Sequence, residues 1–155
     1  MFNKNFFLIL VYLLMVGCGF TPIYKDNKNL NFWIEIDQIE GNESLNNYIK
    51  LNLQKYLVPK TNSNKIIISI NSDYSKNTIA KNMSGVSTEY ELVSNFEFNI
   101  YFNNESKKIK FAEKINIKNL NNEFDEINYE KSNLNNFASS ITQKLILELI
   151  KLNDY

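Results

Sequence analysis

Two stretches alternate apolar and polar residues so regularly that a sheet with one wet face is the fold they suit. Tyr90, Leu92, Phe96, Phe98, Ile100 and Phe102 alternate with Glu89, Glu91, Asn95, Glu97 and Asn99. Past a polar gap at 103–106, Ile109, Phe111, Ile115 and Ile117 alternate with Lys108, Lys110, Lys114 and Lys118. A period of two sends successive side chains to opposite faces of a strand, and the short gap predicts a hairpin. With Phe102 opposite Lys107, Phe98 meets Phe111 and Ile100 meets Ile109 on the inner face. On the outer face Glu91 meets Lys118, and Glu97 lies diagonal to Lys110 and Lys114. Opposite charges paired in this way contribute about 0.2–1 kcal/mol each, so the array reads as a solvated sheet face before it reads as a ligand site. Glu113 resists the pattern by falling on the inner face, which predicts a bulge, a strand end or a different register.

The rest of the chain supplies partners for that hairpin. Phe32, Ile34 and Ile36 alternate with Trp33, Glu35 and Asp37, giving a first strand that ends near Ile39 before the turn Gly41-Asn42. Leu45, Tyr48, Ile49, Leu53, Tyr56 and Leu57 recur at helical spacing, with Ser44 as the expected N-cap and Pro59 as the stop. Ile66, Ile68 and Ile70 share one face of a second strand running to about Tyr74, and Ser75 to Ser87 reads as a long connection that carries Lys76 and Lys81. A final helix is expected from an N-cap at Ser132 to about Leu152, its stripe formed by Leu134, Phe137, Ala138, Ile141, Leu145, Leu149 and Leu152. Ile146, Leu147 and Ile150 add a second apolar side: either the strands curl around the helix end, or a partner covers the excess. The order is β-α-β-β-β-α, two helices on one face of a four-stranded sheet, an α+β fold occupying a single domain over 30–155.

Composition removes most catalytic chemistry. The 155 residues include no histidine and one cysteine, so His-based triads, imidazole bases, disulfides and cysteine or histidine metal sites are absent from the expectation. All 17 cationic residues are lysine, matched by 17 Asp and Glu. Any anion contact must therefore use a point charge or a backbone N–H rather than a guanidinium fork, and the balanced charge argues against a nucleic-acid partner. No Gly-x-Ser-x-Gly, Ser-x-x-Lys or Gly-rich phosphate loop occurs. The expectation is a protein that is not an enzyme, with no metal and no cofactor.

The N-terminus points to a membrane. Lys4 precedes an apolar run from Phe6 to Val16 that ends in Gly17-Cys18. That run is short of the about 20 residues a spanning helix needs and has the proportions of a signal peptide, assigned to 1–17. Met15-Val16-Gly17-Cys18 resembles a bacterial lipobox, which makes Cys18 the lipidated first residue of the mature chain; Met15 stands where leucine is commoner. Residues 18–29 then form the lipidated N-terminus and tether, with the acyl chains holding the protein to a membrane, and Gly19 after the cysteine, by its resemblance to known lipoproteins, implies sorting to the outer membrane.

The string Cys18-Gly19-Phe20-Thr21-Pro22-Ile23-Tyr24 resembles the mature N-terminus of the lipopolysaccharide-assembly lipoproteins, the LptE family, in its alphaproteobacterial form. The element order is similar to that family's, as is the segment from Tyr129 to Leu152 with Phe137-Ala138 inside it. The resemblance implies a non-catalytic lipoprotein of the Gram-negative cell outer membrane, held on the periplasmic side by its acyl anchor. It also implies a plug partner of the LptD β-barrel that takes part in lipopolysaccharide transport and outer-membrane assembly. Basic residues near strand ends bind lipopolysaccharide in the family, which makes Lys76 and Lys81 the candidates here. The rival reading is a periplasmic accessory lipoprotein of a lipid transporter with no barrel partner.

Overall fold

In the computed structural model, residues 30–120 and 122–153 are described. Of two compact units, Asn31–Tyr155 contains every described strand and helix; in the other, Met1–Leu30, only Leu30 is described. The expected signal peptide, Cys18 and the tether to Asn29 thus lie outside the described residues.

The elements follow the expected order. They are β1 (Phe32–Gly41), α1 (Glu43–Leu53) with a 3-10 turn at Gln54–Tyr56, β2 (Asn64–Lys81), β3 (Ser87–Phe102), β4 (Glu105–Lys118) and α2 (Glu123–Asn153). The sheet order is β1-β2-β3-β4, with β1 parallel to β2 and the other neighbours antiparallel. Both helices lie on one face, so this is the α+β arrangement expected. Phe32, Ile34, Ile66, Ile68, Ile70, Phe96, Phe98 and Ile100 are buried on the inner face beneath Leu45, Ile49, Leu53, Ile141, Leu145 and Leu149 of the helices. Removing any one of the larger side chains would cost about 3–5 kcal/mol.

The parallel step from β1 to β2 depends on a small polar device. Gly41 adopts φ +98°, and a Cβ there would stand 1.8 Å from the Ser72 carbonyl oxygen, so glycine is required on both counts. Directly after it Asn42, not Ser44, caps α1, its Oδ1 accepting from the Leu45 N–H at 3.0 Å. Ser72 Oγ donates to Asn46 Oδ1 at 2.8 Å, and Asn46 Nδ2 donates to the Glu40 carbonyl at 3.0 Å. This satisfied polar knot fixes the start of α1 over the sheet.

Besides the cap of α1, three expectations need correction. The β3–β4 register lies two residues from the expected one: Phe102 faces Glu105, Phe96 faces Phe111 and Phe98 faces Ile109. The reason is the turn, which uses only Asn103 and Asn104, both at positive φ (50° and 65°), the two-residue geometry that best matches strand twist. A shift of two conserves the faces, so the inner and outer sets stand and Glu113 stays inward, opposite Ser94. Secondly, Ser75 to Lys81 is strand and not connection, continuing β2 against β3 through Thr78↔Tyr90 to Lys81↔Ser87. Thirdly, α2 begins nine residues before Ser132, capped by Asn122 Oδ1 accepting from the Phe124 N–H at 2.9 Å.

The breadth of the apolar face on α2 is accounted for within the domain in part. Helix α2 packs beside α1 as well as on the sheet, and Ile146 is buried, whereas Leu147 remains 43% exposed.

Candidate functional site

Lys76 and Lys81 stand on one strand, yet their surroundings differ. The side chain of Lys76 belongs to the inner set of β2, beyond the point where β1 ends, and the early turns of α2 cover it. Its Nζ lies 2.7 Å from Glu126 Oε1, 2.9 Å from Glu130 Oε2 and 4.6 Å from the centroid of the Tyr90 ring. Glu126 and Glu130 are four residues apart and so share one face of the helix, which lets a single ammonium meet both. Tyr74, two residues along β2, donates its hydroxyl to Glu130 Oε1 at 2.6 Å.

The electrostatics of this cluster close on themselves. Burial opposes the charge on Lys76, but hydrogen bonds to Glu126 and Glu130 outweigh it and hold its pKa above the ordinary lysine value. Burial, followed by the hydrogen bond to Glu130, pushes the Tyr74 phenol far above its usual range. The lysine that the sequence offers for a phosphate is therefore already neutralised by two carboxylates. It fastens the polar first turns of α2 to the sheet.

Lys81 is exposed at the end of β2, next to the turn 82–86, and has no ion pair among the described residues. That turn is ordered by Asn82, whose Oδ1 accepts from the N–H groups of Ser84 and Val86 at 2.9 and 3.0 Å. Around it stand exposed apolar side chains: Ile79 and Val86 are about half exposed and Met83 is fully so. At the neighbouring end of β4 and start of α2, Leu120, Phe124 and Ile127 are exposed as well. The acidic residues Glu123, Asp125 and Glu126 open α2 at this same end. Of the two sequence candidates, then, Lys81 is the one free to meet an external anion.

The outer face is the solvated lattice expected from its sequence, with partners set by the observed register. Glu97 takes Lys108 at 2.7 Å and Lys110 at 3.0 Å, and Glu91 takes Lys114 at 3.5 Å. The two lysines beside Glu97 hold its carboxyl below the usual carboxylate value. On the inner face Glu113 accepts from Ser140 at 2.7 Å and from Lys144 at 2.6 Å, both on α2, so its inward position is a helix contact and not a bulge. Burial raises the cost of its charge, yet these two donors bring its pKa below the ordinary value. Among the described residues no group of three or more acidic or thiol side chains is placed to hold a metal ion, and no helix is long and apolar enough to cross a membrane.

With this geometry the chain can be set beside known proteins. No family model matches it, and no curated protein matches it in sequence. Solved structures do. The chain shares the fold of rare lipoprotein B. That protein, from Shewanella oneidensis, superposes with a TM-score of 0.57 at 11% identity, over 75% of this chain and 96% of the other. A lipoprotein B from Nitrosomonas europaea gives 0.52 at 13% identity, over 84% of this chain and 92% of the other. A candidate lipoprotein from Caulobacter crescentus CB15 gives 0.51 at 15% identity, over 77% and 88%. At such identities the likeness is one of fold.

Sequence reasoning missed Tyr74, Tyr90, Glu126 and Glu130 as parts of the Lys76 cluster. The signal was present in the four-residue spacing of the two glutamates after Asn122, but it lacks the apolar stripe by which the rest of α2 is recognised.

Proposed function

We propose that this chain is an outer-membrane lipoprotein, anchored through Cys18, that assists lipopolysaccharide transport and assembly as the plug partner of the LptD β-barrel and carries out no catalysis. The observation that carries the reading is the shared fold with lipoprotein B chains, nearly all of whose length is matched, in a sequence whose residues Met15 to Cys18 resemble a lipobox. The physical form suits the role. The acyl anchor supplies residence at the periplasmic side of the membrane. The outer face, with its glutamates, lysines and asparagines, suits the wet lumen of a barrel. Lipopolysaccharide phosphates would meet Lys81, whose charge is unspent, in preference to Lys76, whose charge is engaged by Glu126 and Glu130. Ile79, Met83 and Val86 beside Lys81 offer apolar contact to acyl chains.

The test is purification of the tagged full chain from membranes in mild detergent. Recovery of a large outer-membrane β-barrel in stoichiometric amount is the expected result. Recovery of an inner-membrane transporter in its place would overturn the plug assignment and favour the accessory-lipoprotein reading. Cys18→Ala is expected to leave an unprocessed precursor, readable by mass spectrometry of the intact chain.

A further inference from the structure

We infer that the end of the domain at which the chain enters from residue 30 is a seat for the headgroup layer of an anionic phospholipid bilayer, with Trp33 and Tyr101 as its aromatic contacts and Lys65 as its cation. The inference rests on the reading of Cys18 as lipidated, but not on the identity of any protein partner.

The placement follows from the sheet. Asn31 meets the first residue of β2, the Asn64 N–H donating to its carbonyl at 2.8 Å, so the entering chain, the start of β2 and the Asn103–Asn104 turn all lie at one end. Trp33 sits beside Lys65 across β1 and β2, with the ammonium 5.6 Å from the ring centroid and 2.7 Å from Glu35 in a pair that is nearly half exposed, so that water and lipid phosphate can still reach the lysine. One step further in, Ile67 lies beside Tyr101, which is 47% exposed. All four side chains belong to the outer face. Two hollows flank the Asn103–Asn104 turn. One, of about 520 Å³, is bordered by Lys65, Ile67 and Tyr101; the other, of about 470 Å³, has Ile100, Phe102 and Leu152 along it with Lys107 at its edge.

Amphipathic aromatic rings with neighbouring lysines are the side chains that settle at a bilayer interface, the ring among glycerol and upper acyl groups and the ammonium at phosphate level. Charge distribution gives the same orientation. At this end Lys55, Lys60, Lys65, Lys107 and Lys151 outnumber Glu35, Glu105 and Glu148, whereas at the other Glu40, Glu43, Glu89, Glu123, Asp125, Glu126 and Glu130 outnumber Lys76, Lys81, Lys118 and Lys131. A negative lipid surface attracts the first end and repels the second. The chain outside the described residues completes the argument. Cys18 precedes Leu30 by a dozen residues, a reach of at most about 40 Å when fully extended, and any anchor there acts on this end of the domain first.

Trp33 is the sole tryptophan in the chain, so its fluorescence reports on the seat without labelling. The processed full chain, purified in detergent, is reconstituted into vesicles of phosphatidylethanolamine with phosphatidylglycerol, and vesicle-bound protein is isolated by flotation. The expected result is a shift of Trp33 emission to shorter wavelength, quenching by acyl-brominated lipid, and a fall in acrylamide quenching of about twofold relative to the detergent sample. Lys65→Glu should reverse much of this on the anionic vesicles. A chain that floats with the vesicles but keeps water-like emission and full acrylamide access overturns the seat while leaving the anchor reading intact. A chain that does not float refutes the anchor reading, and the seat falls with it.

Discussion

Replacing Lys76 with methionine keeps the aliphatic stem and deletes the charge between Glu126 and Glu130. Breaking a fully buried ion pair in this one-sided way costs about 3–5 kcal/mol, whereas an exposed pair contributes about 0.2–1 kcal/mol. The three side chains here are 25%, 17% and 23% exposed, between those limits and nearer the buried one. Two carboxylates left facing each other without a counter-ion set the expected loss at about 2 kcal/mol, corresponding to a fall in Tm of about 6–10 °C for a domain of this size. The loss should be local before it is global, because residues 123–131 of α2 contribute no buried side chain to the core. Hydrogen exchange of the purified chain should therefore show the amides of the first two turns of α2 losing protection while those around Leu145 keep it. Lys81→Met, at an exposed position with no ion pair among the described residues, should change stability by less than about 0.5 kcal/mol. Adding Glu130→Gln to Lys76→Met should recover part of the loss, since the stranded negative charge is halved. If Lys76→Met costs less than about 0.5 kcal/mol and leaves early α2 protection unchanged, the claim that this cluster fastens the helix is refuted.

Two further predictions follow from the same geometry. Tyr74 and Lys76 both have folded pKa values raised above the ordinary 10.0 and 10.5, so the folded state holds their protons more tightly, and their contribution is complete below about pH 10 and lost as pH rises beyond it. Denaturation in urea between pH 9 and 11 should show falling stability, and Tyr74→Phe should flatten the decline; an unchanged slope would remove Tyr74 from the explanation. Gly41→Ala forces a Cβ onto the Ser72 carbonyl at a positive φ, and should cost about 3 kcal/mol or more by thermal melting, a far larger penalty than alanine at the open Gly85 turn.

The sequence made the fold legible where one side of an element is apolar and the other is not. That covers β1, the first half of β2, both long antiparallel strands and the later turns of α2, and it delivered the element order and the faces. What escaped was set by polar contacts between distant segments. The second half of β2, Ser75 to Lys81, has no alternation of its own; it is held by β3, whose pattern was read correctly, through pairs such as Ser75↔Val93. The first turns of α2 are helical because Asn122 caps them and Lys76 meets their glutamates from 50 and 54 positions away in the sequence, which no local periodicity encodes. The hairpin register hinged on two asparagines tolerating a left-handed backbone, a turn shorter than the polar gap suggested. For the candidate site this mattered most at Lys76: its charge was visible, but not the carboxylates that neutralise it.

Under the proposal that the chain is anchored through Cys18, the parallel pairing of β1 with β2 also has a mechanical meaning. Tension arriving through Asn31 acts along the axis of β1, so the ladder from Phe32↔Asn64 to Gly41↔Ser72 is loaded in shear, its bonds sharing the force instead of parting one after another. The Asp37 bulge interrupts that ladder and the buried Phe32 and Ile34 resist sliding beneath the helices. A pull arriving through Asn31 would thereby be met by the strongest direction of the sheet, with the first strand serving as a tow bar for everything behind it.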